Sequence, residues 1–363
     1  MATTYGKNLK ISIYGGSHDE EIGVIAKGLP KGAGFDFEKL LAFMKRRAPG
    51  NAKYATARKE PDLPIFVSGV NKDYILDGDT VKAVIKNTNI HSSDYKNLVD
   101  IPRPSHADYP ARVKFGDNVD LRGGGHFSGR LTAPMCIIGG ICLQLLEEMG
   151  IKISAHIYSI KGEKDLSFDP CGVNGNHFKS LSRRDFPTIS AKSGEKMQEI
   201  IEAARLDGDS VGGVIECAVI GLPVGIGEHM FARLEGRISS IIFSIPAVKA
   251  IEFGNGFECA SLFGSENNDP YTIENGKIRT KTNNCGGIAG GMSNGMPIIF
   301  RTAIKPTPSI AKEQDSVSLS KLENTKLVIS GRHDPCIIPR AVPVVEAAAA
   351  IAIFDAILDE RQL

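Results

Sequence analysis

No C-x-x-C pair occurs among the seven cysteines, at positions 136, 142, 171, 217, 259, 285 and 336, and no histidine stands near them at ligand spacing. So scattered and odd-numbered a set argues against a disulfide framework and against structural zinc. Excess charge of one sign is also absent: 43 basic and 42 acidic residues leave a formal net charge of +1. The overall positive field of a nucleic-acid binder is therefore missing, and any anion must be recognised locally. That points to a small ligand. The N-terminal stretch MATTYGKNLKISIYGGSH lacks the apolar run of a signal peptide, and later apolar stretches are interrupted by Arg, Glu, Asp or Gly before membrane-spanning length. The expectation is a cytoplasmic protein without a membrane partner. Neither G-x-G-x-x-G nor G-x-x-x-x-G-K-[ST] is found, so neither a Rossmann nor a P-loop assignment is supported.

What is present is a chain of 363 residues, 42% hydrophobic, with 39 glycines and 19 prolines. It is long enough for a large core and rich in turns. Residues 101–132, IPRPSHADYPARVKFGDNVDLRGGGHFSGRLT, are too polar and glycine-rich for that core. They carry Arg103, Arg112, Arg122, Arg130, His106, His126 and the triplet Gly123, Gly124, Gly125. Guanidinium forks bind carboxylate or phosphate two-pronged, glycine lets backbone approach a ligand, and imidazole moves protons near neutral pH. A solvated loop has the same composition.

Taken in order, residues 8–14 and 23–27 read as strands around the tight turn Gly15-Gly16-Ser17-His18-Asp19. Asp36 caps a helix to about Arg47 with a basic last turn, and residues 47–59 form a second basic loop. Residues 64–70 and 75–76 read as strand pieces and 79–86 as a short helix. Residues 131–149 form a nearly all-apolar helix whose Gly139 and Gly140 invite close packing. Strands are expected at 151–160, 211–220, 248–253, 297–304 and 326–330, and helices at 195–206, 229–245 and 342–359. Residues 165–185 and 257–281 read as irregular. The segments IGVIAKGLP and GVIECAVIGLP both run from a strand into a Gly-Leu-Pro turn, a hint of two related halves.

The segments GGSHDEEIGVIAKGLPKG, RRAPG, RKEPD, RPSHADYP, LRGGGHFSGRLTA, AVKAIEFGNGF, NNCGGIAGGMSNG, KPTPSI and GRHDPCIIPRAVPVVEA resemble, in order and over almost the whole chain, the motifs of the chorismate synthase family. The resemblance implies one domain over residues 1–363, an α+β sandwich with a central helical layer between two antiparallel sheets, and a homotetramer. It implies 1,4-anti elimination of phosphate from 5-enolpyruvylshikimate 3-phosphate to give chorismate, with reduced FMN as cofactor. Substrate would meet Arg47, Arg103, Arg130 and Arg332. His18 would be the general acid at the leaving phosphate, His106 would stabilise or protonate the flavin, and Ser17 and Asp334 would assist around the flavin ring, Asp334 as relay for the abstracted proton. Flavin contacts would come from His126, Phe127, Ser128, Pro246, Ala247, Gly290, Lys305, Pro306, Thr307, Pro308, Ser309 and Arg332. Arg47 and Lys53 would meet NADPH in a bifunctional member.

Departures from the family pattern are Gly16 and Asp19 in place of Gly-Glu-Ser-His-Gly, His126 and Phe127 in place of an Arg-Ser pair, and Lys53 where arginine is common. Asp19 and Glu20 beside His18 favour imidazolium, whereas Arg103 and Arg112 around His106 favour a neutral ring. Two alternatives stand beside this reading. One is a binding protein of the same fold. The other is a Ser17–His18 hydrolase, which lacks a nucleophile elbow and an oriented third partner.

Overall fold

Two five-stranded antiparallel sheets frame the chain in a computed structural model that describes residues 3–48, 60–88, 100–116, 119–329 and 334–360. The first sheet has the order Thr3–Tyr5, Lys10–Tyr14, Glu21–Lys27, Thr80–Lys86, Ile65–Ser68. The second runs Glu163–Lys164, Lys152–Ile160, Gly213–Ile220, Ile298–Ile304, Val248–Phe253. Between them lie the helices Phe37–Arg47, Thr132–Glu148 and Ile338–Glu360. The Thr132–Glu148 helix packs on the first sheet, the C-terminal helix packs on the second, and the two helices pack on each other. One hydrophobic cluster draws on both sheets and all three helices. This is the α+β sandwich expected, with helices as the middle layer.

The Thr132–Glu148 and Ile338–Glu360 helices have almost no solvent face and are apolar on every side, whereas Phe37–Arg47, which packs on both of them, exposes Glu38, Lys39 and Lys45. By length and composition Arg122–Glu148 and Ile338–Glu360 could cross a membrane, contrary to the expectation that no apolar stretch is long enough. The fold uses them as core, with 83% and 94% of their most apolar windows buried. Close approach is set by glycine: a Cβ on Gly139 would lie 2.3 Å from the Cβ of Ala347, and one on Gly140 would lie 2.5 Å from Leu40 Cδ1. Charges inside the layer are all held. Glu346 accepts two bonds from Arg46 (2.6 and 3.0 Å) and one from Ala155 N (2.9 Å). Asp355 accepts from the backbone of Asn8 and Leu9 and from Arg237. All seven cysteines are free thiols, and burial pushes Cys136 and Cys336 up to about 12, so neither is a ready nucleophile.

Several expectations change. Residues 79–86 are not a helix but the strand Thr80–Lys86, paired on both sides. The β-branched Thr80, Val81, Val84 and Ile85 fit a central strand, and two neighbours decide it. The expected 229–245 helix is a short turn at Met230–Ala232 followed by the helix Leu234–Ile242. Residues 165–185 include the helix Gly175–Ser182, started by an Asn174 capping box with His177. Residues 257–281 hold a short helix and the hairpin Tyr271–Glu274 with Lys277–Thr280. The strand expected at 326–330 is Glu323–Leu327, paired with Gln314–Ser318.

Candidate active site

The turn between the first sheet's strands Lys10–Tyr14 and Glu21–Lys27 is pinned to the glycine triplet. Ser17 N donates to Gly125 O (3.1 Å), and the fully buried Ser17 hydroxyl donates to Arg122 O (2.9 Å). Its proton is thereby committed, so at 3.1 Å Ser17 Oγ acts as acceptor to His18 Nδ1–H. A serine so oriented is not a poised nucleophile, and the hydrolase alternative fails here. Gly123 has φ +58° and lies against these side chains, where a Cβ would come 2.3 Å from His18 Cε1. Gly124 has φ +91°, and its Cβ would stand 3.5 Å from His106 Nε2. The triplet therefore separates the two histidines, one against each glycine.

Arg47 and Arg130 converge. Both donate to Asp62, each through Nη1, and Asp62 is 1% exposed. Arg47 also reaches Thr132 Oγ1 and Gly129 O (3.2 and 3.0 Å). Arg130 Nε donates to Asn87 Oδ1 at 3.0 Å and lies 3.2 Å from Glu60 Oε2. Asn87 in turn donates to Asp19 O at 2.8 Å and Gly16 O at 3.3 Å, tying Arg130 to the Ser17–His18 turn. Arg130 Nη2 is buried with no partner among the described residues. Burial raises Asp62, but Arg47 and Arg130 outweigh it and hold its carboxyl below the usual range.

Arg103 grips Asp108 with Nε and Nη2, both at 2.7 Å, and reaches Ser309 Oγ at 3.3 Å. His106 Nδ1 lies 2.6 Å from Asp108 Oδ1. The charged group in contact with His106 is thus a carboxylate, not the cations that neighbour it in sequence. Lys305 Nζ donates to Ser105 O (2.9 Å), bringing the 305–309 turn against the same loop, and burial lowers the Lys305 ammonium. Thr307 Oγ1 is buried without a partner among the described residues. Pro306 and Pro308 flank it, and Gln314 donates to Pro308 O at 3.4 Å. Ala247 stands after Pro246 at φ +71°, and its carbonyl takes Lys305 N at 2.9 Å.

His126 Nδ1 lies 2.9 Å from Gly15 O, Phe127 packs near Phe115, and Ser128 Oγ accepts from Arg130 N. Gly290 sits at the tip of the hairpin Ile288–Ala289 with Met292–Ser293, and Gly291 O accepts from Leu234 N. Asp334 accepts from Arg340 Nη1 at 2.5 Å, and Arg340 Nε donates to Arg47 O at 3.2 Å. Arg332 and Lys53 lie outside the described residues.

The chorismate synthase family model matches residues 9–358. The chain belongs to the chorismate synthase family. Chorismate synthases of Lancefieldella parvula, Korarchaeum cryptofilum and Pyrococcus abyssi are 44%, 41% and 42% identical to it over 98% of this chain and 96%, 97% and 98% of theirs. A crystal structure of chorismate synthase superposes with a TM-score of 0.75 at 26% identity, covering 98% of this chain and 93% of that one. The protein is accordingly a lyase acting at the final step of the shikimate pathway.

Within this member of the chorismate synthase family, Asp62, Asn87, Asp108 and Arg340 hold the arginines and histidines in place, yet residue-by-residue reading passed over all four. Asp62 and Asp108 lie inside RKEPD and RPSHADYP, and Arg340 inside GRHDPCIIPRAVPVVEA, so those segments carried the signal. Asn87 carried none. A lone Asn at a strand end has no signature until the fold shows what it bridges.

Proposed function

We propose that the chain eliminates phosphate from 5-enolpyruvylshikimate 3-phosphate in the 1,4-anti sense, with reduced FMN bound beside it and the side chains above in the roles their family positions imply. What supports the reading most is the glycine triplet, which has one imidazole against Gly123 and a second against Gly124, while Arg130 keeps a buried donor open to an anion. Two carboxylates and a phosphate on one small ring need clustered guanidinium groups. Arg47, Arg103, Arg130 and Arg332 are the candidates.

A flat, phosphate-bearing cofactor fits the residues present. The unpartnered Thr307 hydroxyl and the half-buried Lys305 ammonium suit an anionic group, and side-chain-free backbone at Gly123 and Gly124 lets the His18 and His106 rings lie close against it. His126, Phe127, Ser128, Pro246, Ala247, Gly290, residues 305–309 and Arg332 would hold it. When bound, reduced FMN supplies electron density that eases C–O cleavage and accepts the hydrogen lost from carbon. His18, with Nδ1–H on Ser17, delivers a proton from Nε2 to the departing phosphate. His106 governs protonation of the flavin, and Asp334 relays the abstracted proton.

The deciding experiment is an anaerobic assay with 5-enolpyruvylshikimate 3-phosphate and chemically reduced FMN. Chorismate and phosphate are expected in equal amounts, and binding without turnover would instead favour a binding protein of the same fold. Aerobic turnover with NADPH as sole reductant tests bifunctionality through Arg47 and Lys53. A homotetramer is supported by exposed Phe231, Phe257, Phe263, Ile273 and Ile278, and light scattering checks it.

A further inference from the structure

We infer that Asp108 is the positioning residue of this site, fixing the tautomer and aim of His106 and the alignment of Arg103 with one carboxylate. The inference rests on the proposed function for its kinetic meaning but not for its geometry. Asp108 Oδ2 accepts from Arg103 N (3.0 Å) and Nε (2.7 Å), while Oδ1 accepts from Arg103 Nη2 (2.7 Å) and contacts His106 Nδ1 (2.6 Å). An ionised carboxylate only accepts, so His106 Nδ1 must carry the proton. Nε2 is then the nitrogen left for chemistry, and it is the ring atom nearest Gly124.

The surrounding chain is built to keep this contact. Asp108 is 2% exposed and opens the helix Asp108–Phe115, where negative charge complements the helix dipole. Burial alone would raise its carboxyl, but hydrogen bonds from Arg103 and His106 outweigh that and hold it below the ordinary carboxylate range. Ser105 sits at φ +59°, a left-handed conformation unusual for serine, and the turn closes with His106 N on Arg103 O at 3.2 Å. That turn bends His106 back over Asp108, and Lys305 braces it through Ser105 O. A carboxylate needed only to start a helix would require none of this.

The test is Asp108→Asn in the full-length protein. An amide cannot accept all four donors, so His106 Nδ1 must become an acceptor and its proton must move to Nε2. Nitrogen-15 NMR on histidine-labelled protein, with the His106 signal assigned by its loss in His106→Ala, should find Nδ1–H in the wild type and Nε2–H in the variant. Single-turnover elimination should slow roughly tenfold or more, as when a catalytic histidine takes the wrong tautomer. Asp108→Glu should restore the tautomer and part of the rate. In a His106→Ala background, Asp108→Asn should raise KM through Arg103 but cost no further rate.

A wild-type His106 protonated at Nε2 would overturn the inference, as would a tautomer and pH profile unchanged in Asp108→Asn or rate losses that multiply in the double variant. If Asp108→Asn fails to fold, the wild-type tautomer and Asp108→Glu still decide. Absence of chorismate formation by the wild type would sink the proposed function, and the NMR result would stand apart from it.

Discussion

Asp62 bridges two buried arginines, and removing it leaves Arg47 and Arg130 out of water with only the Glu60 carboxylate, 3.2 Å from Arg130, beside them. Asp62→Ala should therefore destabilise the fold by about 3–5 kcal/mol, the range for breaking a buried ion pair from one side, as read by urea unfolding. Because its folded pKa is lowered, this stabilisation is present above the ordinary carboxylate value of about 3.9 and lost as pH falls through the lowered one. His18→Ala should slow single-turnover elimination by about a hundredfold or more while leaving flavin affinity nearly intact. A normal rate would remove it as the acid. Arginine and histidine announce such a site by residue type. Which carboxylate holds which of them is a question of distance, and neither Asp62 nor Asp108 says so in sequence.

Between elements, the helices Thr132–Glu148 and Ile338–Glu360 meet at Gly139, whose added Cβ would strike the Cα and Cβ of Ala347 at 2.5 and 2.3 Å. Backbone cannot give way as a side chain can. Gly139→Ala should cost about 1–3 kcal/mol as overpacking. Gly140→Ala meets the flexible Leu40 Cδ1 and the Phe43 ring instead, and the gain in helix propensity, up to about 1 kcal/mol, should bring it close to neutral. Equal losses in thermal unfolding would show that rigid contact is not what separates them. The Gly-Leu-Pro echo also acquires meaning at this scale. Its strands, Glu21–Lys27 and Gly213–Ile220, are each the central strand of their sheet.

Across the whole molecule, buried carboxylates among the described residues meet partners of opposite charge. In the second sheet His156, Glu216, Arg301 and Glu252 stand in register across four strands. His156 contacts Glu216 at 3.0 Å and Asp165 at 3.3 Å, Arg301 Nε lies 2.9 Å from Glu216, and the Arg301 guanidinium covers the Tyr158 ring. The two fully buried carboxylate side chains, Glu216 and Asp165, need two cations. Burial lowers His156, but its bonds to Asp165 and Glu216 outweigh that and leave it raised. A raised histidine stabilises fully below its unfolded value of about 6.5 and loses that contribution as pH rises through the folded value. His156→Gln should therefore be most destabilising in mildly acid buffer, with the gap to wild type narrowing toward alkaline pH in urea titrations. A gap that does not change with pH would mean that His156 is neutral.

The sequence alone marked the 131–149 and 342–359 helices as apolar and buried, while its ordered motifs carried the family resemblance that implied the layer plan. Local pattern also placed the Asp36 cap, and the structure has Asp36 accepting from Lys39 N at 3.0 Å. Tertiary structure alone decided the rest. Residues 80–86 became a strand because two neighbours supplied hydrogen bonds that a short isolated helix could not match. His106 acquired a carboxylate partner because a left-handed Ser105 turned the chain back on itself. Asn87 joined Arg130 to the Ser17–His18 turn from 43 residues away in the chain. Periodicity and capping act over a few residues and are written in the sequence; partnership between distant polar groups depends on where the backbone carries them.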